Sequence, residues 1–249
     1  MSDLPKVSGI LPCGYGDKYF QVAAAAFLAS TYAGELELHI IDNNATSIEA
    51  LIPDDPRVHY HRCDKMPVGA LRNLGNAYAT GDIIVNIDED DWSHPERIGE
   101  QVGRLLGTGK AVTGFHSIFY YDTGNGSTYK YWYEPNRPNH PPYACGSSQM
   151  YTKAWWEKHP FPATGIEDFG FQNAALAAGQ LDSIDGSQLL VARAHSGSVC
   201  TPTQLGKHKQ FPAVPKTDLP PQFYAAIASK VVAAKPKPKA KAATVPQEG

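Results

Sequence analysis

Strand-like and helix-like segments alternate through the first hundred residues of this chain. Three largely apolar segments have the length and composition of strands, at residues 7–12, 36–41 and 83–87, and the alternating segment at 58–62 is predicted to be a half-exposed strand. The sequences between them place apolar residues at helical spacing, most clearly at 67–79, and a further helix is predicted at 97–106. This alternation predicts an α/β fold in which a mostly parallel central sheet is flanked by helices on both faces.

Glycines and polar residues follow three of these predicted strands at their carboxyl ends, at residues 13–16, 42–44 and 88–91. In open parallel sheets, ligands bind in the crevice outside the carboxyl ends of the strands. We therefore expect these three segments to face one crevice. Gly14 and Gly16 would allow the backbone to bend tightly or to approach a ligand, although their spacing is not that of a phosphate-binding P-loop.

The strongest functional signal is the acidic run Asp88-Glu89-Asp90-Asp91, which comes directly after the apolar strand at 83–87. Four adjacent carboxylates repel one another, and they are tolerated mainly where a cation or a hydrogen-bonding ligand neutralises some of the charge. Their hard oxygen ligands suit Mg²⁺ or Mn²⁺. The alternative interpretation is a solvated turn in which Asp91 or Ser93 is the N-cap of the next helix.

The second half of the chain has a different pattern. Residues 111–122 and 127–134 read as two antiparallel strands joined by a Gly-rich turn, which predicts a small β-hairpin region. The hairpin is dense in aromatic residues, which either pack the strands or line a platform for a sugar ring. A proline-rich loop at 135–142, strands at 145–151 and 189–194, and a helix at 169–178 are predicted to complete the fold.

Length and composition allow one large α/β domain or two small ones, because 249 residues with 42% hydrophobic content can bury a sizeable core. We expect a main domain at residues 1–215 and a C-terminal part at 216–249. That part would hold one helix and a disordered tail rich in Lys, Pro and Ala. The tail is interpreted either as a solubilising segment or as a tether to a polyanion such as nucleic acid.

Charge and cysteine content indicate the compartment. The net charge of −3 gives no overall attraction to nucleic acid or to an anionic membrane. The four cysteines are far apart and form no CxxC pair, which favours reduced thiols over disulfides or a zinc site. We find neither a signal peptide nor an apolar run long enough for a membrane span, so a cytoplasmic location is expected.

The order of the motifs resembles the family 2 glycosyltransferases, which are inverting enzymes with the Rossmann-like GT-A fold of nucleotide-diphospho-sugar transferases. The resemblance runs from about Val7 to about His195. Its most specific stretch is GALRNLGNAYATGDIIVNIDEDD, where two motifs occur at the spacing of the family. The other matching segments are ILPCGYG, IIDNN, GSSQMYTKAWW and GIEDFGF.

This resemblance implies an enzyme that transfers a sugar from a nucleotide-diphospho-sugar, most readily a UDP-sugar, to a hydroxyl acceptor, with Mn²⁺ or Mg²⁺ as cofactor. The acceptor hydroxyl would belong to a glycan, a small molecule or a modified DNA base. The resemblance implies that Asp168 is the general base with Glu167 beside it, and that Asp90, Asp88 and His195 bind the metal. The donor would be bound by Pro12, Gly14, Asp42, Arg72, Asn73, Asp88 and Glu89.

Elementary chemistry supports this distribution of roles. A divalent cation shared between carboxylates and a diphosphate converts their mutual repulsion into attraction. Attack by the acceptor from the face opposite the leaving group needs one general base and inverts the anomeric centre. Asp42-Asn43-Asn44 departs from the more acidic pattern usual in the family, and Gly146-Ser147-Ser148 replaces its commoner Gly-Gly.

Several residues also have a structural interpretation. Asp42 could cap its own turn, Arg72 could form an ion pair with Asp82 or Asp88, and His195 could be a solvated or structural group. Asp168 could be the N-cap of its helix, with Glu167 in the first turn. Two other functions are also open: a nucleotidyltransferase on a similar fold, and a non-catalytic module that binds a nucleotide-sugar or a glycan.

Overall fold

A single curled sheet organises the chain. In this computed structural model, residues 4–15, 19–133, 141–163, 166–198, 200–207 and 209–229 are described. Gly16, most of the predicted proline-rich loop and the Lys-rich tail lie outside these described residues. The described strands are β1 Val7–Cys13, β2 Leu36–Asp42, β3 Val58–Arg62, β4 Ile83–Asn86, β5 Trp92–Ser93, β6 Val112–Asp122, β7 Thr128–Trp132, β8 Met150–Thr152, β9 Leu181–Asp185 and β10 Leu190–Ala194.

These strands pair in the order β3-β2-β1-β4-β8-β6-β10-β5, and β7 and β9 also pair with β6. The pairs β1–β2, β2–β3, β1–β4, β6–β9 and β6–β10 are parallel. Antiparallel pairing joins β8 to β4 and β6, β7 to β6, and β5 to β10. The predicted α/β fold, with a mostly parallel sheet and an antiparallel hairpin in the second half, is therefore confirmed.

Helices cover both faces of the sheet, as the alternation predicted. The described helices are α1 Phe20–Leu28, α2 Val68–Tyr78, α3 Arg97–Thr108, α4 Lys153–Lys158, α5 Glu167–Ala177 and α6 Pro221–Ala228. Successive residues of a strand point to opposite faces. Accordingly, Val7 and Val85 pack with α1 and α3, whereas Ile10 and Ile84 pack with α2 and α5. β4 is buried on both faces, so its continuous apolar sequence reflects a central strand.

Three local predictions are wrong. Ser93 and Asp91 do not cap the next helix, because Ser93 pairs with Leu190 in β5 and the chain turns at Pro95 and Glu96 before α3 begins, with Glu96 as its N-cap. The strand predicted at 145–151 is instead a single 3-10 turn, Gly146–Ser148, followed by the short β8. The alternative N-cap role of Asp168 also fails, because α5 already begins at Glu167 with Ile166 as its N-cap.

The C-terminal helix α6 packs onto the sheet. Phe223 is fully buried, with its ring centre 5.9 Å from that of Trp92 and 5.1 Å from that of Tyr121. The predicted division at residues 215 and 216 stays a prediction. All four cysteines are free, as expected. Among the described residues, every helix is too short or too polar to cross a bilayer.

A partly buried polar cluster joins β2 and β3 at the edge of the sheet. Nδ1 of His39 lies 3.0 Å from Nε2 of His61, and Nε2 of His39 lies 3.1 Å from Oε1 of Glu37. The ring of His61 stacks on that of Tyr78 at 4.0 Å, and the ring of His59 stacks on that of His39 at 5.0 Å. The carboxylate of Glu37 also accepts hydrogen bonds from Lys6, Ser8 and Thr80.

This cluster predicts that the fold loses stability in acid. Burial, with His39 and His59 nearby, lowers the pKa of His61 to about 4. Between that value and about 6.5, its ordinary pKa, the unfolded chain binds more protons, so stability is lost as the pH falls through this window. Burial would raise the pKa of Glu37, but the hydrogen bonds to its carboxylate hold that pKa below its ordinary value. Protonation of Glu37 therefore costs the fold further stability when the pH falls lower still.

We expect His61→Gln to reduce the loss of unfolding free energy between about pH 7 and pH 4 by about 2 kcal/mol, because the glutamine side chain does not titrate. Urea unfolding at several pH values measures this difference. His94→Gln is the control, since His94 lies outside the cluster. An identical pH dependence in the His61 variant and the parent would contradict the prediction.

Candidate active site

Residues far apart in the sequence meet at the carboxyl end of β4. The acidic run Asp88–Asp91 occupies the turn that follows this strand, as the α/β pattern predicted. His195, directly after β10, contacts Asp90, and Glu167 at the start of α5 approaches Arg72, the partner of Asp88. The predicted metal-binding and catalytic residues thus border one crevice.

Arg72 on α2 holds Asp88 in place. Its Nη2 atom donates to Oδ1 of Asp88 at 2.9 Å and lies 3.7 Å from Oε1 of Glu167. The ion pair with Asp88 that we considered as an alternative is therefore present, and Arg72 as a whole is only 3% exposed. Its Nε and Nη1 atoms are buried and make no hydrogen bond within the described part of the chain, so the group retains donors for a further acceptor.

The carboxylates around Asp88 repel one another. The limited access of water to its carboxylate raises the pKa of Asp88; Arg72 opposes the increase, whereas Asp90, Asp168 and Glu167 add to it. Contacts link the acids: Arg72 joins Asp88 to Glu167, the neighbour of Asp168. The side chain of Asp88 is 35% exposed and that of Asp90 is 16% exposed, so both are accessible to a cation.

Glu89 points into the protein, toward the loop after β1. Its Oε1 atom accepts hydrogen bonds from the backbone N–H groups of Gly14 at 2.7 Å and Tyr15 at 3.0 Å. Burial raises the pKa of Glu89 to about 7, against the effect of these two donors. Glu89 therefore ties the acidic turn to the first loop, and its predicted contact with the donor stays a prediction, as does that of Gly14.

The imidazole ring of His195 contacts the carboxylate of Asp90. Its Nε2 atom lies 3.1 Å from Oδ2 of Asp90, and its Nδ1 atom accepts a hydrogen bond from the backbone N–H of Gly197 at 3.0 Å. The ring stacks on Tyr19 at 4.5 Å. Since Nδ1 is the acceptor, the proton of the neutral ring lies on Nε2 and faces Asp90. His195 thus orients Asp90 in this structure, and its predicted role as a metal ligand stays a prediction.

One residue that supports the backbone of the acidic turn, Arg193, was missed in the sequence analysis. Arg193 on β10 donates to the backbone carbonyls of Asp90 and, at 3.1 Å, of Tyr19. Asp91 is 6% exposed, and burial raises its pKa, with Arg193 acting in the opposite direction. One signal could have revealed Arg193. A single arginine in the buried strand LVARA needs polar partners inside the protein.

Three of the predicted donor-binding residues already have structural partners. The fully buried Asp42 accepts hydrogen bonds from the backbone N–H groups of Asn44 and Ile48 and from the hydroxyl of Tyr60, and it pairs with Arg62. Its role in the turn, which we considered as an alternative, is therefore observed.

Asn73 and Pro12 are also held by the fold. The amide of Asn73 donates to the carbonyl of Phe161 at 2.8 Å and accepts from Nε1 of Trp156 at 2.9 Å and from the N–H of Phe161 at 3.0 Å. It joins α2 to the segment after α4. Pro12 is buried in β1, opposite Ile41 of β2. For both residues a contact with the donor stays a prediction.

Asp168 lies in the first turn of α5, partly exposed at the crevice. Its Oδ1 atom accepts a hydrogen bond from the backbone N–H of Phe169 at 2.8 Å, and its own carbonyl accepts from Nε2 of Gln149 at 3.0 Å. The neighbouring Glu167 is 14% exposed and faces Arg72. Of the two acids, Glu167 lies 3.7 Å from Nη2 of Arg72, whereas Asp168 forms no direct ion pair within the described residues.

The carboxylates of Asp88 and Asp90 suit a cation whose coordination is completed by a bound ligand. Within the described ranges, no three His, Cys, Asp or Glu side chains form a complete metal site. Asp88 and Asp90 offer two accessible carboxylates amid further negative charge. This donor set fits Mg²⁺ or Mn²⁺ if other oxygens, such as those of a bound phosphate group, complete the coordination.

Comparison with known proteins places the chain in a family. The S. aureus TarS 1–349 crystal structure is similar over 76% of this chain and 60% of that one, with a TM-score of 0.61 and 16% sequence identity. The same TarS fragment in complex with UDP-GlcNAc gives a TM-score of 0.60 and 15% identity over 78% of this chain and 60% of that one.

A further S. aureus TarS structure is similar over 76% of this chain and 37% of its own length, with a TM-score of 0.59 and 14% identity. This chain thus spans about three fifths of the TarS 1–349 fragment. At these identities the likeness concerns the fold. A search of curated protein sequences returned no match. The family model described as glycosyl transferase family 2 matches residues 19–162, more than half of the sequence. The chain belongs to glycosyl transferase family 2.

Proposed function

We propose that this protein is a metal-dependent, inverting glycosyltransferase that moves a sugar from a UDP-sugar to a hydroxyl acceptor. The main support is the grouping of Asp88, Asp90 and Asp168 near the carboxyl end of β4. Arg72 bonds Asp88 and lies 3.7 Å from Glu167, and the turn at Gly146 contacts both Asn86 of β4 and Asp168. Membership of family 2 supports glycosyl transfer. The fold similarity to TarS in complexes with UDP-GlcNAc and with UDP supports a uridine nucleotide in the donor.

In donor binding, two carboxylates would hold the cation and three basic residues would hold the two aspartates in place. Asp88 and Asp90 would hold Mn²⁺ or Mg²⁺, which when bound acts as a Lewis acid and neutralises charge on the diphosphate. Arg72 fixes Asp88, and His195 and Arg193 fix Asp90 and its backbone. Because these supports are themselves buried, the two carboxylates are held in place before the donor arrives.

Asp168 acts on the acceptor. Its carboxylate accepts the proton of the acceptor hydroxyl while that oxygen forms a bond to the anomeric carbon of the sugar. The bond between the anomeric carbon and the diphosphate oxygen breaks in the same displacement, and the electron pair leaves with the nucleoside diphosphate. Attack on the face opposite the leaving group inverts the anomeric centre.

The acceptor hydroxyl would belong to a glycan or a small molecule. A modified DNA base as acceptor depends on the lysines at 235–241, which lie outside the described residues, so this possibility stays a prediction. It can be tested by measuring whether DNA binding falls with added salt and is lost when residues 235–249 are deleted.

A thermal-shift screen tests the proposed donor and cofactor. We expect a UDP-sugar with Mn²⁺ to raise the melting temperature by about 5 °C at about 100 times its Kd, because a ligand that binds only the folded state stabilises it. GDP-, CMP- and dTDP-sugars, and Mn²⁺ alone, serve as controls. A screen in which no nucleotide-sugar raises the melting temperature, with or without Mn²⁺, would contradict the proposal.

A further inference from the structure

The 3-10 turn Gly146–Ser148 lies against the side chain of Asp168. A Cβ atom at position 146 would stand 2.0 Å from Oδ2, 2.7 Å from Cγ and 2.8 Å from Cβ of Asp168. Real Cβ atoms essentially never approach other atoms within 3.0 Å. The carboxyl group of Asp168 therefore occupies the space that any side chain at position 146 would need. Since Gly146 is not among the described glycines with positive φ, this requirement is steric.

Buried side chains donate hydrogen bonds to the backbone carbonyls of this turn. The carbonyl of Gly146 accepts a hydrogen bond from Nδ2 of Asn86 at 3.4 Å, that of Ser147 from Nη2 of Arg97 at 2.8 Å, and that of Ser148 from Nε2 of Gln101 at 2.7 Å. Asn86 and Gln101 are fully buried, and Arg97 is 1% exposed. Every carbonyl of the turn is thus fixed by the interior of the protein, which leaves little freedom for the turn to yield.

Arg97 joins this turn to the strand that carries the acidic run. Its guanidinium donates to the carbonyl of Asn86 at 3.1 Å, to the hydroxyl of Ser93 at 2.8 Å and to the amide oxygen of Gln101 at 3.0 Å. Within the described part of the chain it forms no direct ion pair. A buried cation is tolerated only when its hydrogen bonds are satisfied. The position of the turn relative to the end of β4 is therefore fixed.

A second contact secures the other side of Asp168. Nε2 of Gln149 donates to the backbone carbonyl of Asp168 at 3.0 Å. The backbone N–H of Gln149 in turn donates to the carbonyl of Gly146 at 3.3 Å. One short segment thus contacts the backbone of Asp168 through Gln149 and its carboxyl group through Gly146.

From these contacts we propose that Gly146 is a positioning residue, whose lack of a side chain sets the place of the Asp168 carboxylate in the crevice. The inference rests on the proposed function, which gives Asp168 the role of general base. A base must lie within hydrogen-bonding distance of the hydroxyl it deprotonates. A methyl group at position 146 displaces the carboxylate by about 1 Å or more, and a misplacement of that size costs about 100-fold in rate.

The test compares Gly146→Ala with Gly103→Ala, a matched change on α3 where an added Cβ meets nothing within 4 Å. We expect Gly146→Ala to lower kcat about 100-fold. Donor affinity, measured by calorimetry with UDP-GlcNAc and Mn²⁺, should remain that of the parent. Gly103→Ala should keep the parent values of both. An unchanged kcat for Gly146→Ala, or a loss confined to donor affinity, would overturn the inference.

A double-mutant cycle separates positioning from a general structural effect. If Gly146 acts through Asp168, then Gly146→Ala should leave the residual rate of Asp168→Asn unchanged, because no base remains to be displaced. A further large loss in the double variant would overturn the inference. Should Gly146→Ala fail to fold, Gln149→Met replaces it: this change removes the donor to the backbone carbonyl of Asp168, and we expect kcat to fall with donor affinity retained. An unchanged kcat in that variant would overturn the inference.

The same experiments distinguish the inference from the function on which it rests. Parent activity in Gly146→Ala together with loss of activity in Asp168→Asn would remove the inference and leave the proposed function intact. Parent activity in Asp168→Asn would remove both, since Asp168 would then not be the base.

Discussion

Replacing Asp168 with Asn is expected to lower kcat for sugar transfer about 1,000-fold, within the range that a positioned general base contributes. Asn has nearly the same shape, so it can keep the fit against Gly146 and the hydrogen bond from Phe169. It cannot accept a proton from the acceptor hydroxyl. Initial rates of transfer at saturating donor, with release of the nucleoside diphosphate as the readout, measure the effect.

The control for this variant is Asp82→Asn. Asp82 is exposed in the turn between α2 and β4, so its charge is removed outside the crevice. We expect the control to keep the parent rate, and both variants to keep the parent melting temperature and donor affinity. A parent rate in Asp168→Asn would show that another group takes the proton, and the proposed single displacement with this base would be wrong.

Replacing Asp90 with Asn is expected to lower kcat/KM for the donor at least about 100-fold. Removing a residue that only supports a metal ligand costs up to about 100-fold, so the loss of a ligand itself should cost at least as much. The amide lacks the charge that attracts a divalent cation. The rate of the variant should respond little to added Mn²⁺, whereas the parent rate should rise with it. Rates measured over a Mn²⁺ titration test this expectation.

His195→Gln provides a comparison for Asp90→Asn. Glutamine retains an N–H donor for the contact that Nε2 of His195 makes with Asp90. If His195 mainly orients Asp90, this variant should lose less activity than Asp90→Asn and should still respond to Mn²⁺. An equal response to Mn²⁺ in Asp90→Asn and the parent would contradict the role of Asp90 in metal binding.

Features set by local pattern could be predicted from the sequence. The continuous apolar run of β4 indicated a strand buried on both faces, and the alternation of strands with helices indicated a parallel sheet. Because parallel strands end at one edge, these two patterns also located the crevice and placed Asp88 and Asp90 beside it. The hairpin of β6 and β7 followed from two aromatic-rich strands and a Gly-rich turn.

Features set by contacts between distant residues could not be predicted in this way. Whether Glu89 faces the crevice or the interior depends on Gly14 and Tyr15, 75 and 74 residues away. The partner of Asp90 lies 105 residues along the chain, at His195. β5 has two residues and exists because β10 pairs with it, so its own sequence carries no strand signal. The fit of Gly146 against Asp168 likewise depends on packing between separate elements.

A calorimetric titration of the full chain with UDP-GlcNAc, in the presence and absence of Mn²⁺, tests most directly whether the protein and the donor bind one cation between them. If Asp88 and Asp90 hold a cation that the diphosphate also binds, Mn²⁺ should strengthen donor binding at least about tenfold, or about 1.4 kcal/mol. The same titration of Asp90→Asn should lose this difference. Donor binding of measurable strength that is the same with and without Mn²⁺ would contradict a cation shared between these carboxylates and the donor.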